Sequence, residues 1–598
     1  MENSKSNLDA MRHSCEHLLH VAIEKYFEGS KKAMGPAIED GFYHDFDYSG
    51  KVTEEDLPKL EEIMQGMIAK KLKITKKEIT ITEARELFKE NKYKLEWVDM
   101  IEKKMLVPTV YIIGDESNPV DVDLCKGPHV QNTGDIGPFK LLSIAGAYWH
   151  GDEKNKMLTR IYGTCFPTQT ELDEYLQQKV DLKEKDHRKL GKDLDLFVFS
   201  DVVGKGLPLW TPRGSTIRRE LERFIVDEEI RRGYLHVYTP DIARIQLYEK
   251  SGHYPYYKES MYAPIDDGDE KFMLRPMTCP HHFELYLSKP HSYRDLPMRI
   301  AELAQLYRYE KSGELTGLLR VRTFCLADAH IVAKPEQSKQ EINAVLDLIG
   351  FVCKTLGLEY GKNYFYRLSL GDRKDTKKYY KDDKAWDNAE EVLRSVLIER
   401  GDKFVEAEGE AAFYGPKIDI EMLNLAGKDE TAFTVQYDFV MPKRFKLSYT
   451  DEDGKEKEAI VIHRSSIGCI ERIMAFLIEH YAGAFPAWLC PEQVAIIPIS
   501  DQNIPYAEKI KVLIDKAGLR SYIDGDAERM QNKIRKAQEM KVPYMFIVGK
   551  KEEDKNVVSL RLRTGHEYKD KDVNDTINSI AENVAKKEIN INDLSCIV

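Results

Sequence analysis

The side chains best suited to moving protons or holding a metal near the start of the chain are His13 and His17 in MRHSCEHLL, and Cys125 and His129 in DVDLCKGPHV, with Asp123 just before them. An HxxxH pair alone reads as two solvated or capping histidines. A second pair of soft ligands downstream makes four, with spacings compatible with a tetrahedral site. The same residues without a metal suit a hydrolytic pocket, and His44 in GFYHDFD is a candidate to join it.

A second constellation occupies Arg299 to His330, RIAELAQLYRYEKSGELTGLLRVRTFCLADAH. The alternating apolar run from Ile300 to Tyr309, the turn residues Ser312, Gly313 and Gly317, and the return through Leu318, Leu319, Val321 and Phe324 predict a hairpin of strands. It carries Arg308, Glu310, Arg320 and Arg322. One arginine on a strand is ordinarily solvated. Several converging on a short loop, followed by Phe324 and Asp328, suit a polyphosphate gripped by guanidinium forks, with a ring available for base stacking. Arg472, one turn beyond Gly468, offers a further phosphate contact, although a helical arginine after Glu471 ordinarily makes an exposed ion pair. No GxxxxGK[ST] loop is present, so ATP chemistry must do without one. Cys279 in MTCPHH, His330 in DAH and His463 in HRSSIG are also metal-ligand types. Scattered without regular spacing, each reads by itself as packing or surface. One cysteine and two histidines would leave a fourth position open, as a substrate-binding zinc requires.

The elements that must position these groups can be sketched. At 598 residues the chain suggests about four domains. Its 42% apolar and 32% charged content is that of a globular protein. The polar start and the lack of a long apolar run predict a cytoplasmic protein with no membrane span. Nine cysteines in so long a chain favour reduced thiols or metal ligands over a disulfide framework. A net charge of -12 opposes non-specific nucleic-acid binding while leaving room for a locally basic RNA face. Residues 8 to 27 predict a helix with Leu8, Met11, Cys15, Leu18, Leu19 and Ala22 on one side. His13 and His17 fall roughly 140° and 180° from Leu8, away from that side. Residues 168 to 192 read as a charged linker helix. Residues 193 to 486 alternate strands and helices: a long helix in GSTIRRELERFIVDEEIRRGY, a strand LHVYTPD stopped at Pro240, a helix at 336 to 356, and strand-rich AAFYGPKIDIEML and TAFTVQYDF. HRSSIGCIERIMAFLIEHYAG then leads into a buried helix. After Pro486 to Pro491, residues 491 to 598 alternate as a separate α/β domain with a basic face of Lys550, Lys551, Lys555, Arg561 and Arg563.

With these residues in view, essentially the whole chain resembles the threonyl-tRNA synthetases of the bacterial type. The Pro240 strand resembles the class II dimer motif, LYRYEKSG and LLRVRTF the second motif, and IGCIER the third; the HIGH and KMSKS signatures of the other synthetase class are absent. MRHSCEHLL and DLCKGPHV resemble that family's editing domain. The resemblance implies an α/β and α+β multidomain protein: an editing domain over residues 1–167, a linker helix over 168–192, a class II antiparallel-sheet catalytic domain over 193–488, and an α/β anticodon-binding domain over 489–598.

The implied function is ATP-dependent ligation of threonine to tRNA(Thr) through threonyl-adenylate, with hydrolytic editing of mischarged seryl-tRNA. Arg308 would hold the α-phosphate, Glu310 read the adenine amino group, Phe324 stack on the adenine, and Arg320 and Arg472 hold the triphosphate with Mg²⁺. Met277, Asp328, Tyr414 and Gln436 would line the amino-acid pocket with Lys417, which is counted among the catalytic residues. Cys279, His330 and His463 would bind one Zn²⁺ per chain. His13, His17, His44, Asp123, Cys125 and His129 would form the editing site, Glu552 and Arg561 would read the anticodon, and a homodimer is expected. The chain departs from the family's pattern in three places: it starts at the editing helix without the usual ubiquitin-like module, His44 stands where a tyrosine is common, and Ala527 where an asparagine is expected. The alternatives are a synthetase for another small polar amino acid, a catalytically silent RNA-binding relative, and a metallohydrolase built on the N-terminal histidines and Cys125. The last leaves the central hairpin unexplained.

Overall fold

The first 26 residues set the architecture of the N-terminal part, because their helix, Glu2–Tyr26, is covered on more than one side. The computed structural model describes residues 2–152, 154–425 and 427–597. It divides into two compact units, Met1–Asp181 and Leu182–Val598. Among the described residues no helix is long and apolar enough to cross a membrane.

In the first unit, Cys15, Leu18, Leu19 and Ala22 pack with Phe42, Phe46, Leu60, Met64 and Ile161, the core expected from the helix's periodicity. The polar side of the helix is also buried: His17 is 2% exposed and His20 0%. What looked like a face turned from the core therefore faces a second, polar interior. Lys31–Met34, Gly41–Asp47, Met157–Cys165 and Phe139–Tyr148 form one antiparallel sheet in that order. Ile74–Glu78, Thr109–Asp115 and Asn118–Leu124 form another, and the last of these strands delivers Asp121 and Asp123 to the helix. The charged segment expected as one linker helix is two, Gln169–Lys185 and His187–Asp193. Asp186 separates them and caps the second through the Arg188 amide.

The second unit holds an eight-stranded sheet. Its order is Leu235–His236, Met298–Tyr307, Thr323–Ala333, Ile460–Cys469, Asp429–Asp438, Lys417–Leu423, Tyr364–Leu370 and Phe404–Glu408. Pairing is antiparallel except at the two ends. The central hairpin runs from Met298↔Val332 to Tyr307↔Thr323. Its return strand thus begins at Thr323 and not at Leu318, so Arg308, Glu310, Arg320 and Arg322 sit on the long connection between the strands. The strand predicted before Pro240 shrinks to Leu235–His236, and HRSSIGC is strand before the chain enters the buried helix Ile470–His480. Pro212–Arg231 begins two residues before the GST expected to open it, with Thr211 accepting the Gly214 amide and Pro212 at the first turn. Val494–Pro498, Ser521–Ile523 and Tyr544–Val548 pair in parallel and continue antiparallel through Val557–Leu562 and Glu567–Asp572. The short helix Lys550–Lys555 and the strand Glu567–Asp572 were not anticipated; both are too polar to carry a periodic apolar signal.

Candidate functional site

In the second unit a cavity of about 290 Å³ opens over the middle of the large sheet. It is lined by Met277, Cys279, Arg308, Glu310, Arg320, Phe324, Asp328, His330, Tyr414, Gln436, His463 and Arg472. Every residue expected for ATP, amino acid and zinc is here except Lys417. Lys417 lies outside the lining and bonds Asp419 at 2.7 Å, the carboxylate that Ser369 and Arg367 also share. Arg322 is likewise engaged elsewhere, donating two bonds of 3.0 Å to the Glu310 carbonyl.

The phosphate-type residues converge as the motif spacing suggested. Hairpin register puts Leu306 opposite Phe324, so the Arg308 guanidinium lies 5.1 Å from the Phe324 ring centroid. Arg320 Nε donates to the Glu310 carboxylate at 2.9 Å. Arg472 donates to the carbonyls of Thr431, at 2.6 Å, and Leu319, at 3.3 Å. Glu471 beside it is buried; it accepts from Arg218 Nη1 and from the Cys325 amide, both at 2.9 Å, which fixes the helix start against the sheet. Among the described residues no carboxylate forms an ion pair with Arg308 or Arg472. Burial, then the neighbouring Arg472, lowers the Arg308 pKa. Two neighbouring guanidiniums that no carboxylate pairs directly, with Glu310 the nearby opposing charge, make the cleft a receptor for an anion.

Beneath them, sheet pairing sets His330 directly opposite His463, and Cys279 joins them from the first turn of Cys279–Tyr286. Their ligand atoms all lie within 4.8 Å of one another and all three residues are buried. The hydrogen bonds behind them fit a metal. Glu302 Oε2 lies 3.2 Å from His282 Nε2, so that nitrogen carries the proton. His282 Nδ1 is then free to accept from His330 Nδ1 at 2.8 Å, leaving the His330 Nε2 lone pair available. On the other ring, Asp438 Oδ2 accepts from His463 Nε2–H at 2.7 Å, leaving the Nδ1 lone pair. Both imidazoles are thus held by carboxylate-backed bonds in a ligating tautomer. Burial, then His463, puts the His330 pKa well below the usual range, and burial pushes Cys279 well up. Tyr414 stacks on His463 and donates to Gln436 at 2.6 Å, while burial raises the Asp328 pKa. His282, Glu302 and Asp438 were missed in the sequence, although the doubled histidine of MTCPHH was visible there.

In the first unit His13, His17, Cys125 and His129 also gather with ligand atoms within 4.8 Å. Cys125 Sγ lies 3.4 Å from His13 Nε2 and 3.2 Å from His129 Nε2; Ser14 Oγ meets His129 Nδ1 at 3.0 Å. Burial, then His13, lowers the His129 pKa to about 3; burial, then His129 and His20, puts His17 well below its ordinary value. Burial pushes the Cys125 thiol up to about 12. Neutral imidazoles with available lone pairs can take a proton from water or bind a metal. Beside them is a cavity of about 1390 Å³ lined by His13, Glu16, His17, Lys94, Trp97, Asp123 and Cys125 among others. Asp123 accepts from Lys94 at 2.8 Å. His44 does not line it: it lies one layer deeper, 2.5 Å from Glu16.

Around His44 runs a charged network of which only that residue and Asp123 were anticipated, and of which Glu16, Lys94 and Asp123 also line the cavity. Glu16, Asp121 and Asp123 oppose His20, Lys32 and Lys94, all buried. Burial would neutralise His20, yet Asp121, 2.8 Å away, overrides it and pushes the pKa up to about 9. Burial would likewise protonate Glu16, but His20, 3.9 Å away, and the bond from His44 hold it at about 2. The charges balance without an ion. The network was unreadable because its members come from five elements far apart in sequence.

On the short helix Lys550–Lys555, Glu552 is buried and occupied, accepting from the Gly549 amide at 3.0 Å and Ser559 Oγ at 3.1 Å. Arg561 lies on the adjacent strand, 3.6 Å from Glu567. Ala527 is exposed in the loop before Met530–Glu539. The expected basic face is largely neutralised: Lys551 and Lys555 pair with Asp570, Lys550 with Glu553 and Asp554, and Arg563 donates to Ala484 O.

Comparison with known proteins matches residues 257–481 to the tRNA synthetase class II core domain (G, H, P, S and T). Residues 109–162 match the threonyl and alanyl tRNA synthetase second additional domain, and 493–583 an anticodon binding domain. A threonine–tRNA ligase of Geobacillus sp. (strain WCH70) is 49% identical over 93% of this chain and 85% of its own length. One from Streptococcus gordonii is 46% identical over 97% of this chain and 89% of its own. Among solved structures, a putative threonyl-tRNA synthetase from Aeropyrum pernix is 30% identical with a TM-score of 0.60, covering 67% of this chain and 95% of that one.

Proposed function

Because the chain belongs to the threonine–tRNA ligase family, we propose how the residues of its two cavities divide the work of a reaction that ligates threonine to tRNA at the expense of ATP and edits the product. The threonine carboxylate attacks the α-phosphate of ATP, giving threonyl-adenylate and pyrophosphate, and the threonyl group then passes to the terminal ribose of tRNA. The observation that carries the assignment is the pair of adjacent guanidiniums, Arg308 and Arg472, which among the described residues no direct ion pair holds, above the sheet. Arg308 holds the α-phosphate, Arg320 and Arg472 the β- and γ-phosphates with Mg²⁺, Phe324 stacks on the adenine and Glu310 reads its amino group. Catalysis is then positioning and charge neutralisation, with no side chain acting as nucleophile. Met277, Asp328, Tyr414 and Gln436 shape the amino-acid pocket. Lys417, held by Asp419, supports the strand that bears it.

Cys279, His330 and His463 are the residues that would hold Zn²⁺, as their tautomers support. The metal would supply a Lewis acid that recognises the threonine amino and hydroxyl groups. Valine lacks that hydroxyl, and a site built for it rejects the analogue by up to about 10⁴ to 10⁵. Serine lacks only a methyl, worth roughly 1–3 kcal/mol, so a second hydrolytic step is needed. At the other cavity, which His13 and His17 line with His129 behind them, the three imidazoles stay neutral and serve as base for the hydrolytic water or as ligands for a metal that would activate it, with Cys125 and Asp123 beside them. Exposed Leu235, on the edge strand of the large sheet, and exposed Ile230, Tyr238 and Ile242, close to it in sequence, support a homodimer through this face. Glu552 supports the anticodon domain from within, which leaves Arg561 the better candidate to touch RNA. Nine free cysteines support a cytoplasmic place of action. ATP–pyrophosphate exchange by Arg308→Ala and Arg472→Ala tests the reading: loss of at least about a hundredfold is expected, and parental rates in both overturn it.

A further inference from the structure

We propose that His187 is a positioning residue of the adenylation site, holding the loop that carries Arg320 in register with Arg472; the purpose assigned to it rests on the reading that these arginines grip the triphosphate. His187 begins the short helix His187–Asp193, far in sequence from the hairpin, and is 2% exposed. Its Nδ1 lies 2.7 Å from Glu479 Oε1. The same oxygen accepts the His187 amide at 3.3 Å. A carboxylate can only accept, so Nδ1 carries the ring proton and Nε2 presents a lone pair. That lone pair accepts the Leu318 amide at 3.1 Å.

The approach is close enough to require glycine at the preceding position. Gly317 has φ +47, and a Cβ there would lie 2.1 Å from His187 Nε2 and 2.8 Å from Arg188 Cγ. The next loop residue, Leu319, gives its carbonyl to Arg472 Nε at 3.3 Å. Glu479 and Arg472 stand about two turns apart on Ile470–His480, hence on the same face. Two successive loop residues are thereby tied to one helix, the first through His187 and the second directly by Arg472. Arg320 follows immediately. Satisfying His187 alone would need only Glu479; the second bond reaches into the ATP loop.

Two substitutions separate the bonds. His187→Asn keeps a donor near Nδ1 for Glu479 and loses the acceptor for Leu318. His187→Gln places an oxygen near the Nε2 position, keeping the Leu318 acceptor and losing the donor to Glu479. Each removes one buried bond, so similar losses of Tm are expected. In ATP–pyrophosphate exchange, His187→Asn should raise the KM for ATP about tenfold with the KM for threonine unchanged, and His187→Gln should stay within about threefold of the parent. Gly317→Ala, which displaces the loop from the other side, should reproduce the His187→Asn shift and serves if His187→Asn fails to fold. Equal impairment of the Asn and Gln variants, or equal rises in both KM values, would overturn the proposal and leave His187 a structural residue. Arg320→Ala is the control. A raised KM for ATP there beside an unchanged one in His187→Asn overturns the His187 proposal alone, whereas an unchanged KM in Arg320→Ala overturns the ATP reading and with it the purpose given to His187.

Discussion

Replacing Glu302 by glutamine removes a charge and keeps the shape, at a point that joins the zinc-type histidines to the chain before Pro240. The carboxylate is 2% exposed. It accepts from His282 Nε2 at 3.2 Å, Thr239 Oγ1 at 2.7 Å, the Thr239 amide at 3.1 Å and Arg275 Nη1 at 3.0 Å. Burial would raise its pKa, but the bonds from His282 and Thr239 and the charge of Arg275 hold it at about 2, against an ordinary 4.5. At ~1.36 kcal/mol for each tenfold change in proton affinity this is about 3 kcal/mol of interaction, or about 2 kcal/mol after allowing for solvent screening. Glu302→Gln should therefore lose about 2 kcal/mol at pH 7, a fall in Tm of several degrees. Because the folded pKa is depressed, this stabilisation is complete above pH 4.5 and fades as the pH falls toward 2, so the gap between parent and variant should begin to close below pH 4.5. The amide can also turn its NH₂ toward His282 Nε2, which would invert the tautomer of His282 and then of His330. Zinc affinity should drop about 10- to 100-fold. Calorimetry across that pH range and competition with a chelator measure both effects. A variant as stable as the parent at pH 7 that also holds zinc equally would refute the relay.

His17→Ala should leave threonine activation unchanged and let seryl-tRNA accumulate when serine, ATP and tRNA are supplied; deacylation of preformed seryl-tRNA at the parental rate would make the histidines structural. Burial lowers His129 to about 3, so that ring is already neutral at pH 5, and puts His17 well below its ordinary value. Deacylation should accordingly show no loss between pH 7.5 and pH 5.5, whereas a limb near 6.5 would contradict the neutral cluster. Arg561→Ala should weaken tRNA aminoacylation while ATP–pyrophosphate exchange stays nearly intact, and equal loss in both would remove Arg561 from RNA recognition.

Local signals carried much of this molecule. The apolar periodicity of Glu2–Tyr26 gave the core face of the helix, and two four-residue spacings brought His13, His17, Cys125 and His129 to one place. Resemblance, and not spacing, picked out Cys279, His330 and His463, because only the register of two strands sets His330 against His463. The same limit hid Glu302, Asp438 and His187, whose roles depend on partners brought together by sheet pairing or docking. Lys417, placed by resemblance, and His44, placed by its residue type in GFYHDFD, fall outside the cavities expected for them, since neither signal says which neighbouring carboxylate a cation or ring will meet. Glu16 offers one 2.5 Å from His44, and Asp419 another 2.7 Å from Lys417.

ATP–pyrophosphate exchange with threonine, serine and valine, by zinc-replete protein and by protein stripped with a chelator, tests the account most directly. The account predicts one zinc per chain, exchange with threonine and more weakly with serine, valine rejected by up to about 10⁴, and loss of threonine-dependent exchange on stripping that zinc restores. Full threonine-dependent exchange by metal-free protein, or valine accepted within tenfold of threonine, would contradict it.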